Sequence, residues 1–434
     1  MNNVVLRERV FDTAGEKQFF GWYRRFFSVA EIEARPTLQL IFGALLFSLL
    51  ISFIGWAHNP SITIGSYLSN SYVCWPYFQT CGEHYFLQGL SHGYSQTALY
   101  AVLLGIIALA AWLAYKKEWV LAHVLVVILW LWKALVVFAL TRALAQNFDY
   151  YEIILLFVLL FLPRKLFFLR LTFVSFYFLA STVKFSAGWI LGSYFTSLQN
   201  GLPLFGSAFA PLYTNFVIAL EAIGSWFLLS EQKRLRYPVF ALFVLFHLYS
   251  SIIIGYRYPV LALSILIILF GISDEREDFR FDKSFLPGML FLALLFAVQF
   301  SPLFIPGDER LTGEGNRFRL FMFEANHQCI SKFTINWKSG APSTIVRESA
   351  NARVRCDLYN EWFWVHQVCL RRSASIKDIS WTFDHSIDGG PFYRLVDTND
   401  ACALDYAAFS HNTWIHLPEN GAPIVGYPLK DLYE

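Results

Sequence analysis

Apolar residues along the first two thirds of the chain fall in runs that approach or reach the ~20 helical residues needed to cross a hydrocarbon core of ~30 Å. The runs cover 37–57, 97–115, 119–141, 151–163, 166 to about 185, 212–230, 237–255, 256–272 and 285–305. The fourth is short and stops at Pro163-Arg164-Lys165, so it reads either as a partial span or as the first arm of a helical hairpin. After residue 305 the period changes. Alternation over 317–323, 332–337, 376–383 and 392–396 predicts short strands, and Asp388-Gly389-Gly390 between the last two predicts a hairpin turn. The expected fold class is an all-α polytopic membrane bundle of about eight or nine spans plus a small β-rich C-terminal domain. Residues 1–36 then form an N-terminal arm, 37–305 the bundle with a loop at 58–96, and 306–434 the domain.

Lysine and arginine positions predict which way the bundle faces, because cytoplasmic loops collect them. The N-terminal arm, Lys116-Lys117, Arg164-Lys165, Lys233 to Arg236 and Arg276 to Lys283 share one side if nine spans alternate, whereas 58–96 holds no Lys or Arg. The N-terminus is therefore expected in the cytoplasm and everything after residue 305 outside. All six cysteines fall on the outer, oxidising side. Cys74 and Cys81 are expected to pair, while Cys329, Cys356, Cys369 and Cys402 leave three connectivities open. A zinc reading of His327, Cys329, Cys356, His366 and Cys369 lacks paired C-x2-C spacing, and no metal is expected.

Composition agrees with a membrane protein. Only 15% of residues are charged and 56% are hydrophobic, well short of the roughly one-quarter charge of soluble domains. A formal charge of +2 provides no basic face for nucleic acid. The first 35 residues have no apolar core of a secretory signal, so the first span is expected to direct insertion. No Asn-X-Ser/Thr acceptor occurs, since Asn59-Pro60-Ser61 is excluded by its proline, which favours a bacterial inner membrane over an endoplasmic reticulum.

Ionisable residues within apolar spans are costly and default to packing or function. His123, Lys133, Glu152, Lys184, Glu221 and His247 qualify. Glu221 and His247 lie at similar expected depth, roughly 12 to 14 Å from the outer ends of their helices at 1.5 Å per residue. Lys184 joins them if its helix continues to about Tyr194 and sits near the surface if the helix stops at Phe185. Simpler roles stand beside this one: Glu221 and His247 satisfying each other, Lys184 reaching the headgroups, His123 and Lys133 as structural groups, and the stripe Phe173, Tyr177, Ala180, Lys184 as packing. A buried lysine has a defined chemistry, because low dielectric favours the neutral amine, a base able to deprotonate a phenol or hydroquinone.

The segment from Tyr177 through Lys184, Trp189 and Gly192 resembles the signature of the HTTM superfamily, which includes vitamin K-dependent γ-glutamyl carboxylases and many bacterial proteins. The Glu221 helix and the stretch from Phe246-His247 to Gly255 and Pro259 look similar to its next two helices. The resemblance covers about 24–305. It implies that Lys184 takes a proton from vitamin K hydroquinone or menaquinol, with Glu221 and His247 in support and Tyr177 and Trp189 at the substrate. Where the carboxylases carry two adjacent lysines this chain has Val183-Lys184, and its outer domain is only about 125 residues with a different cysteine layout. The leading expectation is a quinol-using carboxylase-like membrane enzyme acting on a peptide or lipid-side substrate. A non-catalytic maturation or export partner for a secreted peptide is the alternative, and a proton-coupled transporter using Glu221 and His247 a third reading that lacks the inverted repeats it would need.

Overall fold

The computed structural model describes residues 14–57, 73–81, 94–140, 147–197, 201–204, 206–273, 275, 282–315, 319–320, 323–350, 356–417 and 426–428. Most of the loop at 58–96 and of the basic segment at 276–283 lies outside these residues.

Among the described residues, seven helices are long and apolar enough to cross a membrane: Pro36–Ala57, Ala98–Tyr115, Trp119–Leu140, Lys165–Thr182, Ser207–Phe227, Lys233–Ile253 and Leu286–Phe304. Two of the nine expected runs fall short of that length. Asn147–Phe161 is a 15-residue helix of about 22 Å. It is buried on nearly every face between its neighbours, as expected of a helix that is hydrophobic all round. Arg257–Leu266 continues through a π-helical turn, Ile267–Ile272, and is also short. Gly255, at φ 77°, ends the preceding helix in a conformation that favours glycine and lets the chain reverse at once.

Loops gather at two ends of the bundle. At one end, the Glu31 carboxylate accepts the backbone N–H groups of Arg164 and Lys165 at 2.9 Å each, serving orphan donors at the N-terminus of the Lys165–Thr182 helix. Arg164 also pairs with Asp282 at 2.7 Å. At the other end, Gln79 donates to the Tyr406 carbonyl at 2.9 Å and Asn326 to Ser197 Oγ at 2.8 Å. The segments expected on one side of the membrane thus meet one another, and so do those expected on the other.

The C-terminal domain is an antiparallel sheet in the order β2-β1-β3-β4-β5. Its strands are β1 (His327–Trp337), β2 (Ser343–Ala350), β3 (Ile376–Ile387), β4 (Tyr393–Thr398) and the two-residue β5 (Tyr427–Pro428). Alternate β1 residues Cys329, Ser331, Phe333 and Ile335 are buried, the period of two expected of a strand with one covered face. That face is covered by the helix Leu358–Arg371, with Phe333 against Trp364 at 5.0 Å between ring centroids. Asp388 and Gly389 both take positive φ between β3 and β4, the hairpin turn the sequence predicts.

One expectation needs correction, two elements were not foreseen, and the open cysteine pairing is resolved. The strand expected over 317–323 does not form among its described residues, where the Leu320 N–H instead donates to Gln299 Oε1 at 2.9 Å. The edge strand β2 and the Leu358–Arg371 helix were not foreseen. The three cysteine pairs are Cys74 with Cys81, Cys329 with Cys356, and Cys369 with Cys402. The last two tie the helix to β1 and to the turn after β4, and no cysteine is left for zinc.

Candidate functional site

Lys184 lies two residues beyond the end of the Lys165–Thr182 helix, yet it is only 1% exposed. The helix thus ends before Phe185, and the lysine is nevertheless enclosed by protein. The chain after Thr182 folds back instead of leaving the bundle. Ser186 caps a short helix, Ala187–Ile190, by accepting the Trp189 N–H, and a second short helix, Ser193–Thr196, follows. Two glycines permit the close packing. A Cβ at Gly192 would sit 2.7 Å from Pro211 N, and one at Gly188 would sit 1.9 Å from Asp388 Oδ2.

Beneath this cover, Lys184 Nζ donates to Glu221 Oε2 at 2.5 Å and to the Ala180 carbonyl at 3.2 Å. Its charge lies 5.4 Å from the centre of the Trp189 ring. Glu221 sits in a π-helical turn, Leu220–Gly224, which interrupts the regular ladder of its helix; such turns recur at functional sites. Trp189 Nε1 in turn donates to the Phe323 carbonyl at 2.5 Å, so the roof over the lysine is fastened to the C-terminal domain.

His247 forms a second pair beside the first. Its Nε2 meets the Tyr177 hydroxyl at 2.6 Å, while Nδ1, fully buried, has no hydrogen-bond partner among the described residues. Glu221 and His247 therefore do not satisfy each other as the simpler reading supposed; each has a different partner. The phenols of Tyr151, Tyr177, Tyr213 and Tyr258 all lie within electrostatic reach of Glu221. All five sequence-nominated residues, Lys184, Glu221, His247, Tyr177 and Trp189, thus fall in one neighbourhood.

Sequence reasoning missed Tyr151, Tyr213 and Tyr258, because a tyrosine in an apolar span carries no signal of its own. It also missed Gln299, which bridges the Leu179 carbonyl, the Thr182 hydroxyl and Leu320 and so pins the end of the Lys184 helix. A polar residue near the end of an otherwise apolar run was the available clue. No group of three or more His, Cys, Asp or Glu side chains arranged to hold a metal occurs among the described residues.

Comparison with family models, with curated proteins and with solved structures produced no match to this chain.

Proposed function

We propose that this chain is a multi-pass membrane enzyme in which Lys184 takes a proton from a reduced quinone, with Glu221, His247 and Tyr177 as its supporting groups. The contact between Lys184 Nζ and Glu221 Oε2, sheltered from solvent on both sides, carries the reading. An amine and a carboxylic acid in such contact differ from an ion pair by one short proton transfer, and low dielectric narrows the gap between the two states. In the neutral form the amine is a base. A proton arriving from a hydroquinone hydroxyl would make an ammonium that the Trp189 ring face already accommodates.

The lining suits a phenolic ring. Tyr177, packed on Phe243 at 4.1 Å, offers an aromatic wall, and the orphaned His247 Nδ1 offers a partner for a hydroxyl. Vitamin K hydroquinone or menaquinol would supply the acidic hydroxyl. The distribution of Lys, Arg and Cys supports basic loops in the cytoplasm and the disulfide-bonded domain outside, and the lack of an Asn-X-Ser/Thr acceptor supports a bacterial inner membrane.

The purified protein, given menaquinol or vitamin K hydroquinone in oxygen, should form the epoxide, and Lys184→Ala should abolish it. Unchanged epoxide formation in that variant rejects the role of the lysine. The non-catalytic reading, capture of a secreted peptide for maturation or export, is favoured by the edge position of β2, whose outer side pairs with no strand among the described residues. Crosslinking of peptide to β2 with full function in Lys184→Ala would select it.

A further inference from the structure

A second set of buried charges lies apart from Lys184, among the Pro36–Ala57, Trp119–Leu135 and Asn147–Phe161 helices. Lys133 Nζ contacts Asp149 Oδ1 at 2.8 Å, Ser52 Oγ at 2.6 Å and, closest of all, Glu152 Oε2. Rings of Trp56 and Phe148 lie 5.2 and 5.3 Å from the same nitrogen. Immediately after this lysine's helix the backbone enters a π-helical turn, Val136–Leu140, as it does at Glu221.

Proton counting decides the state of the lysine. The Ser52 hydroxyl donates to Asp149 Oδ1 at 3.0 Å, so its oxygen must accept from Lys133. Three acceptors then surround the nitrogen, and only an ammonium has three N–H groups to satisfy them. With the ammonium committed, two carboxylates remain against one positive charge. An uncompensated negative charge in an apolar interior is costly enough that the group takes up a proton instead.

One oxygen is free to receive it. Glu152 Oε1 is buried and has no hydrogen-bond partner among the described residues, and the Ser48 hydroxyl of the neighbouring helix acts on this carboxyl. With a proton on Oε1 that oxygen donates and Ser48 Oγ accepts; without it the Ser48 hydroxyl donates, so the charge imbalance and not the hydrogen bond decides where the proton sits.

The geometry points to a proton-binding site formed by Lys133, Asp149, Glu152 and Ser48, in which one dissociable proton is held on Glu152 Oε1. Among the described residues, Lys133 and Asp149 are the charged groups that face Glu152. On the two other helices packed against Asn147–Phe161, Lys165 bonds to the Leu160 and Leu162 carbonyls, Arg170 to that of Leu269 and Tyr177 to His247, Tyr258 packs on Tyr151, and the Arg257 guanidinium lies against Gly55. The Lys184 site differs in kind, since there one amine faces one carboxyl group and the pair is neutral overall with the proton on either partner. The two sites share a helix, because Tyr151, which reaches Glu221, adjoins Glu152 in the chain. The proton site stands independently of the quinol reading.

Infrared difference titration of the full-length protein in lipid nanodiscs tests it. Near neutral pH the wild type should show a protonated-carboxyl carbonyl component beyond any from Glu361 and Glu221, and the difference between wild type and Glu152→Gln, which matches the protonated acid in shape and charge, should contain that component. Ser48→Ala leaves the carboxyl in place and should shift the component, since the acid O–H loses its acceptor. Identical carbonyl spectra in wild type and Glu152→Gln, or an unmoved component in Ser48→Ala, overturns the assignment. Loss of the component when sodium replaces choline would mark a cation site and overturn it equally.

Discussion

Trp189 touches two parts of the molecule at once: its ring faces Lys184 Nζ, and its Nε1 donates to the backbone carbonyl of Phe323 at 2.5 Å. One side chain therefore links the buried amine to the domain that follows the bundle. Any motion that lifts that domain must break this hydrogen bond or carry the roof of the site with it.

Trp189→Phe keeps an aromatic ring near Lys184 but removes the donor to Phe323. We expect a loss of about 1 kcal/mol in the attachment of the C-terminal domain. Faster limited proteolysis between residues 305 and 327, with little change in helix content by circular dichroism, is the predicted readout. Unchanged cleavage would show that the bond does not hold the domain.

Removing one partner of the Lys184–Glu221 pair leaves the other as an uncompensated buried charge. Lys184→Met alone or Glu221→Gln alone should each destabilise the protein, by ~3 to 5 kcal/mol where the remaining partner stays charged. The double variant Lys184→Met/Glu221→Gln should regain most of the loss while staying inactive. Thermal unfolding of the three variants in one detergent measures the coupling, and strict additivity would argue that the pair does not interact.

His385 makes the C-terminal domain sensitive to acid. Burial, reinforced by the neighbouring His327, holds this imidazole down to about 3, and its Nδ1–H is committed to the Leu311 carbonyl at 2.7 Å. Between pH 6.5 and about 3 the unfolded chain binds a proton here that the folded chain does not, so stability falls as pH drops through that window. The slope approaches about 1.4 kcal/mol per pH unit for one proton. Glu361, pushed up to about 7 by burial, slopes the other way between pH 4.5 and 7. The difference between wild type and His385→Gln in tryptophan-monitored unfolding isolates the histidine, and parallel pH curves would refute its contribution.

The disulfide between Cys329 and Cys356 closes 27 residues and joins β1 to the start of the covering helix. Replacing both by serine should cost ~3 kcal/mol of domain stability. Peptide mapping without reduction should recover the pairs 329–356 and 369–402, and any other pairing contradicts this fold.

Much of the architecture was legible because it depends on local chemistry. Apolar run length marked all seven membrane-length helices, and Asp388-Gly389 announced its hairpin because few other residues accept positive φ at both central positions. The edge strand β2 escaped because its exposed residues, Thr344, Val346, Arg347 and Glu348, mask any buried face. The Leu358–Arg371 helix did carry a signal that went unread: Asp357 as N-cap before buried Leu358, Tyr359, Trp362, Phe363 and Val365 at helical spacing. Asp149 was missed for a different reason, since the apolar run was started at Tyr151 and left it in the preceding loop.

By itself, the sequence determined which segments are helical, which loops share an end of the bundle and which residues are too polar for their surroundings. Those properties follow from each segment's own length, charge and composition. Only the tertiary structure decided that Lys184 pairs with Glu221 and not with lipid, that Lys133 gathers Asp149 and Glu152, and which cysteines join. A partner across the bundle depends on how each helix is rotated about its axis and where the chain turns back, and those are set by packing among elements distant in sequence.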